Sequence, residues 1–221
     1  MNGKLILFDC DGTLVDSQSF IHSMFMQSIA HVGGPSPPPE LVAQMPYLSF
    51  KQTWAKMEGL LTAEQVVAAS EYMMREITAI RASATPQEKM FPGILAVLDV
   101  LEQQGYLLGI VTNKHAHSLE LVLKSNGIYQ RFITLNHCDN APPKPAPMMV
   151  LNGLREAGVD AKNALVVGDG LFDVLAAKNA DVGAIAVSWN ESANPELKAA
   201  GAFAVLEQID QLLPTIERYW I

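Results

Sequence analysis

The sequence has only two cysteines in 221 residues, too few for a disulfide framework. One of them, Cys10, sits between Asp9 and Asp11, and two flanking acids disfavour its thiolate. Cations are scarce as well: 15 lysines and arginines face 23 aspartates and glutamates, a formal net charge of −8. No basic stripe runs along the chain, which argues against nucleic acid or an anionic membrane as partner. No apolar run approaches the roughly 20 residues that span a bilayer. The first strand begins almost at the N-terminus and leaves no room for a signal peptide. A reducing cytoplasm is the expected setting. A small anionic substrate stays open, and with so few cations each local lysine or metal site then carries weight.

What is present is a globular composition, 49% hydrophobic and 17% charged, long enough for one sizeable domain or a core with an insert. From about residue 91 short apolar runs alternate with helical spacing. The expected strands are 4–9, 107–112, 131–135, 164–169, 184–188 and 202–206. The expected helices between them are 94–104, 115–126, 146–157, 171–180 and 207–218. Strands so continuously apolar are buried on both faces, so the sheet should be mainly parallel. The fold class is therefore α/β, a doubly wound layer structure. Residues 17–88 break the rhythm with helical periods at 18–31, about 48–58 and 63–81, and "GGPSPPPE" (33–40) forces a turn and an extended piece. The expected organisation is a core of 1–16 and 89–221 with a helical cap of 17–88.

In open α/β sheets ligands bind beyond the carboxyl ends of the strands. Those ends carry Asp9 and Asp11, then Thr112 and Asn113, then Asp169 with Asp173 one helical turn later. Lys144 lies in the loop "NAPPKPAP". Each has an ordinary explanation alone: an acid can cap a helix, a threonine can end a strand, and a lysine is usually solvated. Together, in this order and at one edge, coincidence is a poor account of them.

The motifs "DCDGT" (9–13), "VTN" (111–113), Lys144 in "PPKPAP" and "GDGLFD" (168–173) strongly resemble those of the haloacid dehalogenase-like phosphohydrolases. Among these the phosphoglycolate-phosphatase-like members are most similar, and the resemblance covers the whole chain, cap included. It implies a Rossmann-like core and a Mg²⁺ ion held by side-chain oxygens of Asp9 and Asp169 and the backbone carbonyl of Asp11. Asp173 would orient the site or hold a metal-bound water. Clustered carboxylates become tolerable around such a hard cation. The resemblance further implies that Asp9 is the nucleophile that forms an aspartyl-phosphate. Asp11 would protonate the leaving alkoxide and then activate water, and its acid neighbours should help it hold a proton. Thr112 and the Asn113 N–H would bind phosphoryl oxygens where a helix opens. Lys144 would balance charge between Asp9 and the phosphate. Gly12 would let the backbone approach the phosphoryl group, and Thr13 would stabilise the loop. The implied partner is a small phosphorylated metabolite, such as a phosphoglycolate- or sugar-phosphate-like monoester.

Some positions depart from the family pattern. Gly170 stands where relatives often have threonine, and "SWNESANPE" (188–196) replaces a commonly glycine-bearing loop. Phosphosugar mutases often have valine after the DxDG stretch and a hinge histidine. Here Thr13 and Ile21 occupy those places, and His22 falls one step, about 100°, further around a helix. Mutase chemistry is thus the alternative enzyme reading, and Asp11 argues against dehalogenation. A non-enzymatic phosphoryl-accepting signalling domain is the other alternative, but such domains hold the acceptor on an internal strand and lack the insert. His115 and His117 read as a solvated helix start, with no cysteine or histidine partner evident. Met24, Met26, Met73, Met74, Tyr47 and Trp54 read as cap core or a flexible apolar cleft lining. Arg75 and Arg81 read as exposed helix-face residues or substrate contacts.

Overall fold

The computed structural model describes residues 3–44, 50–81, 88–189 and 195–220. The chain divides into two compact units, one of Met1–Asp16 with Lys89–Ile221 and one of Ser17–Glu88. The larger unit is built on six parallel strands: β1 Leu5–Phe8, β4 Leu107–Thr112, β5 Thr134–His137, β6 Ala164–Gly168, β7 Gly183–Val187 and β8 Ala204–Leu206. Their order is β5-β4-β1-β6-β7-β8, so β1 is central, paired on its two sides with β4 and β6. The α/β class and mainly parallel sheet read from the sequence are what the molecule has.

Alternation along β1 divides the interior into two layers. Ile6 and Phe8 face a cluster with Leu98 and Leu101 of α5 (Ile94–Gln103), Leu119, Val122 and Leu123 of α6 (Ala116–Ser125), and Leu212 and Ile216 of α10 (Leu212–Tyr219). Leu5 and Leu7 face another with Met149 and Val150 of α7 (Met148–Ala157), Val174 and Ala177 of α8 (Leu171–Asn179), and Leu197 of α9 (Pro195–Ala200). Each fully buried leucine or phenylalanine contributes about 1.5–3 kcal/mol by leaving water. The period-2 strand pattern thus anchors β1 from both faces.

Several boundaries differ from the sequence reading. The apolar run from Phe132 suggests a strand over 131–135, but Tyr129–Arg131 is a 3-10 turn and Ile133 is exposed. Pairing with β4 begins only at Thr134. The last helix starts at Leu212 after a 3-10 turn at Ile209–Gln211, which leaves Pro214 in the first turn where it is tolerated. The helix α9 and the antiparallel pair β2 (Val15–Asp16) and β3 (Lys89–Met90) are too short to give a period.

The smaller unit is helical: α1 Ser17–His31, α2 Pro39–Gln44, α3 Phe50–Ala55 and α4 Ala63–Arg81. Its own core collects Phe20, Met24, Phe25 and Ile29 from α1, Trp54 from α3, and Ala69, Met73 and Ile77 from α4. Thr62 and Gln65 form a reciprocal capping box at the start of α4, each side chain accepting the other's backbone N–H. Met24, Met73 and Trp54 are core, whereas Met74 is half-exposed. Arg75 pairs with Glu76 and lies over the Tyr72 ring. Pro39 opens a helix where an extended piece is expected, because proline suits a first helical position. Tyr47 and the Arg81 side chain lie outside the described residues. No described helix is long and apolar enough to cross a membrane.

Candidate active site

The carboxyl ends of β1 and β6 lie side by side, with Phe8 opposite Val167. Asp9 continues that ladder, its N–H donating to the Val167 carbonyl at 2.8 Å. Asp169 follows Gly168 directly, and Asp173 stands in the first turn of α8. Ligand oxygens of Asp9, Asp169 and Asp173 lie within 4.8 Å of one another. Two glycines make the crowding possible. Gly12 has φ 75°, and a Cβ there would sit 2.0 Å from Asp169 Oδ2. At Gly168 a Cβ would meet Asp173 Cγ at 2.3 Å.

Lys144 is the buried cation of this group. Its Nζ donates to Asp9 Oδ1 at 2.8 Å, to the Val111 carbonyl at 3.1 Å, and to Asp173 Oδ1. Asp173 Oδ2 accepts the Gly170 N–H at 2.9 Å, which ties the acid to its own helix start. Gly170 thus retains a polar contact through its backbone. Burial opposes the charge on Lys144, but Asp173 and Asp9 outweigh it and hold the ammonium above the ordinary lysine range. For Asp9 the balance falls the other way. Burial raises its pKa from 3.8 to about 6, helped by Asp173 and Asp11 and opposed by Lys144. Asp169 is also pushed well up, by burial and then by Asp9 and Asp173.

Three clustered acids with one ammonium leave negative charge in excess, and the donors are all hard oxygens. That set suits a small, hard divalent cation, which Asp9, Asp169 and Asp173 could hold between them. The Asp11 side chain points to a different partner. Its Oδ1 lies 2.6 Å from Nζ of Lys114, whose side chain is 5% exposed. The nearest charged neighbour shown for Asp11 is thus a cation, whereas the sequence suggests only acids around it. Lys114 is the site residue that sequence reasoning missed, and its place directly after "VTN" was the available signal.

Thr112 closes β4 and is buried, its Oγ1 accepting the Lys114 N–H at 3.2 Å. The Asn113 side chain braces the Lys144 loop: Oδ1 accepts the Lys144 N–H at 2.8 Å and Nδ2 donates to the Lys144 carbonyl at 3.3 Å. The helix read over 115–126 runs from Ala116 to Ser125, so it opens three residues past Asn113, and its first N–H is already taken by Asp139 Oδ2 at 2.8 Å. A helix-terminus contribution to anion binding at Thr112 and Asn113 is therefore weaker than the sequence suggests. Trp189 of the 188–196 loop donates Nε1–H to the Thr13 carbonyl at 3.0 Å, bracing the loop that follows Asp9; residues 190–194 lie outside the described residues. His115 is solvated, as expected, yet it has partners in Asp139 and Cys138. No such cysteine is evident from sequence, because it lies 23 residues away.

The chain matches the haloacid dehalogenase-like hydrolase model over residues 6–187. A probable phosphatase, IndB of Dickeya dadantii, is 30% identical over 95% of this chain and 91% of its own. The phosphoglycolate phosphatase of Agrobacterium fabrum is 33% identical over 84% of this chain and 80% of its own. Among solved structures, a haloacid dehalogenase-like family hydrolase from Streptococcus pneumoniae superimposes with a TM-score of 0.77 at 23% identity, covering 97% of this chain and 99% of that one. The chain belongs to the haloacid dehalogenase-like hydrolases and is an enzyme of their phosphatase-like kind.

Proposed function

We propose that the protein is a Mg²⁺-dependent phosphatase that hydrolyses a small phosphate monoester through an aspartyl-phosphate on Asp9. The observation that carries this reading is the buried Asp9–Lys144–Asp173 chain beside Asp169, a nucleophile held by a cation at the edge where ligands bind. A bound Mg²⁺ would polarise the phosphoryl group and offset its charge. Asp9 attacks phosphorus and expels the alkoxide. Asp11 gives a proton to that leaving oxygen and then takes one from the water that attacks the phosphoenzyme. Lys114 orients the Asp11 carboxyl group, and Lys144 keeps Asp9 aimed and charge-balanced. Thr112 and the Asn113 N–H donate to the phosphoryl oxygens. The helical unit of Ser17–Glu88 serves as the cap that selects among esters. The name of one relative makes phosphoglycolate the first substrate to try, and the sugar phosphates expected from the sequence come next.

The test separates the two acids of "DCDGT". Asp9→Asn forms no phosphoenzyme with any substrate. Asp11→Asn loses about 10²–10⁴-fold on alkyl esters but still phosphorylates Asp9 from an aryl or acyl phosphate, whose leaving group needs little protonation. The intermediate then accumulates, because the base for water is gone. Rapid quench and mass analysis of the peptide holding residues 5–17 reads this. Phosphate on Asp11, turnover by Asp9→Asn, or full activity in chelator would overturn the assignment.

A further inference from the structure

We propose that His115, Cys138 and Asp139 form a second cation site, for a soft divalent transition ion such as Zn²⁺. The site shares no residue with the carboxylate cluster. It arises from sheet register: β4 and β5 are neighbours with Thr112 opposite His137, so the loops leaving both strands emerge together. His115 Nδ1 lies 2.7 Å from Asp139 Oδ1 and 3.3 Å from Cys138 Sγ, and the sulfur is 3.9 Å from that carboxylate oxygen.

The same ring nitrogen faces both the thiol and the acid. A nucleophilic relay needs the two imidazole nitrogens in series, one to the nucleophile and one to the acid. Here thiol, imidazole and carboxylate instead converge on one point, as ligands do. Zn²⁺ bonds of roughly 2.0–2.3 Å at tetrahedral angles place donors about 3.3–3.6 Å apart. Two edges of the triangle fall near that spacing, and the hydrogen-bonded edge must open by roughly 0.6 Å. Asp139 is pre-set for the task, because its other oxygen is held by the Ala116 N–H.

A second observation points the same way. His137 Nδ1 is buried without a hydrogen-bond partner among the described residues and lies 3.9 Å from Asp139 Oδ2. A ring nitrogen that near the Asp139 carboxylate is placed to steady it as a ligand from outside the ion's own shell. Thiolate and imidazole select Zn²⁺ or Co²⁺ over Mg²⁺, which prefers oxygen alone. The two sites should therefore sort ions by softness.

The test uses the full chain in saturating Mg²⁺. Co²⁺ is titrated and the thiolate-to-cobalt charge-transfer band is followed in the near ultraviolet. Zn²⁺ affinity is measured by competition with a chromophoric chelator. The carboxylate cluster has no sulfur to give this band, and Cys10, the other cysteine, is fully buried in the apolar core. The expected result is one equivalent of Co²⁺ with the band. Cys138→Ser should abolish the band, and Cys138→Ser and His115→Gln should each weaken Zn²⁺ at least about tenfold. An Asp169→Asn protein keeps both properties, which separates this site from the proposed Mg²⁺ site. No band in the parent chain, or Zn²⁺ affinity unchanged in either variant, overturns the proposal.

Discussion

Gly12→Ala is the sharpest probe of how the acid cluster is built. The new methyl would sit 2.0 Å from Asp169 Oδ2 on a backbone with φ 75°. Two costs follow, and they are separable. The left-handed conformation costs an alanine about 1–2 kcal/mol. Forcing the Asp169 carboxylate aside inside a packed site adds about 1–3 kcal/mol. The single variant should therefore lose about 2–5 kcal/mol in urea unfolding, measured in chelator so that metal does not contribute. In an Asp169→Ala background the three nearest atoms, all of that carboxylate, are gone, and the same change should cost mainly the backbone part. The coupling in this double-mutant cycle is then about 1–3 kcal/mol in favour of relief. Equal losses from Gly12→Ala in both backgrounds would refute the idea that close approach to Asp169 is what requires glycine.

Two further outcomes follow from the charges. Lys114→Met frees Asp11 from its ammonium, and a misplaced acid should slow alkyl-ester turnover by about 10–100-fold while aryl esters lose less; equal loss on both would show that Lys114 serves the phosphoryl group instead. The folded protein holds the Asp9 proton more tightly than the unfolded chain, with a pKa of about 6 against 3.8. Between those values the native state binds more protons, so metal-free stability must fall as pH rises through that window, by at most about 3 kcal/mol from Asp9. Urea midpoints in chelator should show this slope flattened in Asp9→Asn, and an unchanged slope would contradict it.

Much of this site was legible because one topological rule places it. Once 4–9, 107–112 and 164–169 read as buried parallel strands, Asp9, Thr112 and Asp169 had to share an edge. What stayed hidden depends on where side chains go after the strands end. Nothing in "VTNKHAH" says that Lys114 turns back to Asp11, or that Asn113 braces the backbone of Lys144. His115 and Cys138 meet only because β4 and β5 are adjacent, a fact of strand order and not of spacing. The short helices α2 and α9 escaped because a six-residue element carries under two turns of apolar period.

The two lysines divide the electrostatic work, and their division explains why the pair of acids in "DCDGT" can be tolerated. Lys114 balances Asp11 at the more exposed position. Lys144 is left to face Asp9 and Asp173 together. At an effective dielectric of about 20, a contact of 2.8 Å is worth about 6 kcal/mol, against a desolvation penalty of several kcal/mol for each ion. Were that attraction sufficient, Asp9 would titrate below an ordinary aspartate. It titrates near 6 instead, so burial and the neighbouring acids exceed what one ammonium returns. The cluster is therefore under-neutralised by design of its neighbours: three carboxylates, one lysine, and backbone approach at Gly12 and Gly168 that no bulkier residue permits. A divalent cation held there would remove that excess at a single stroke. The same excess repels a phosphate dianion from the metal-free site, so substrate affinity should depend on the cation before any chemistry begins.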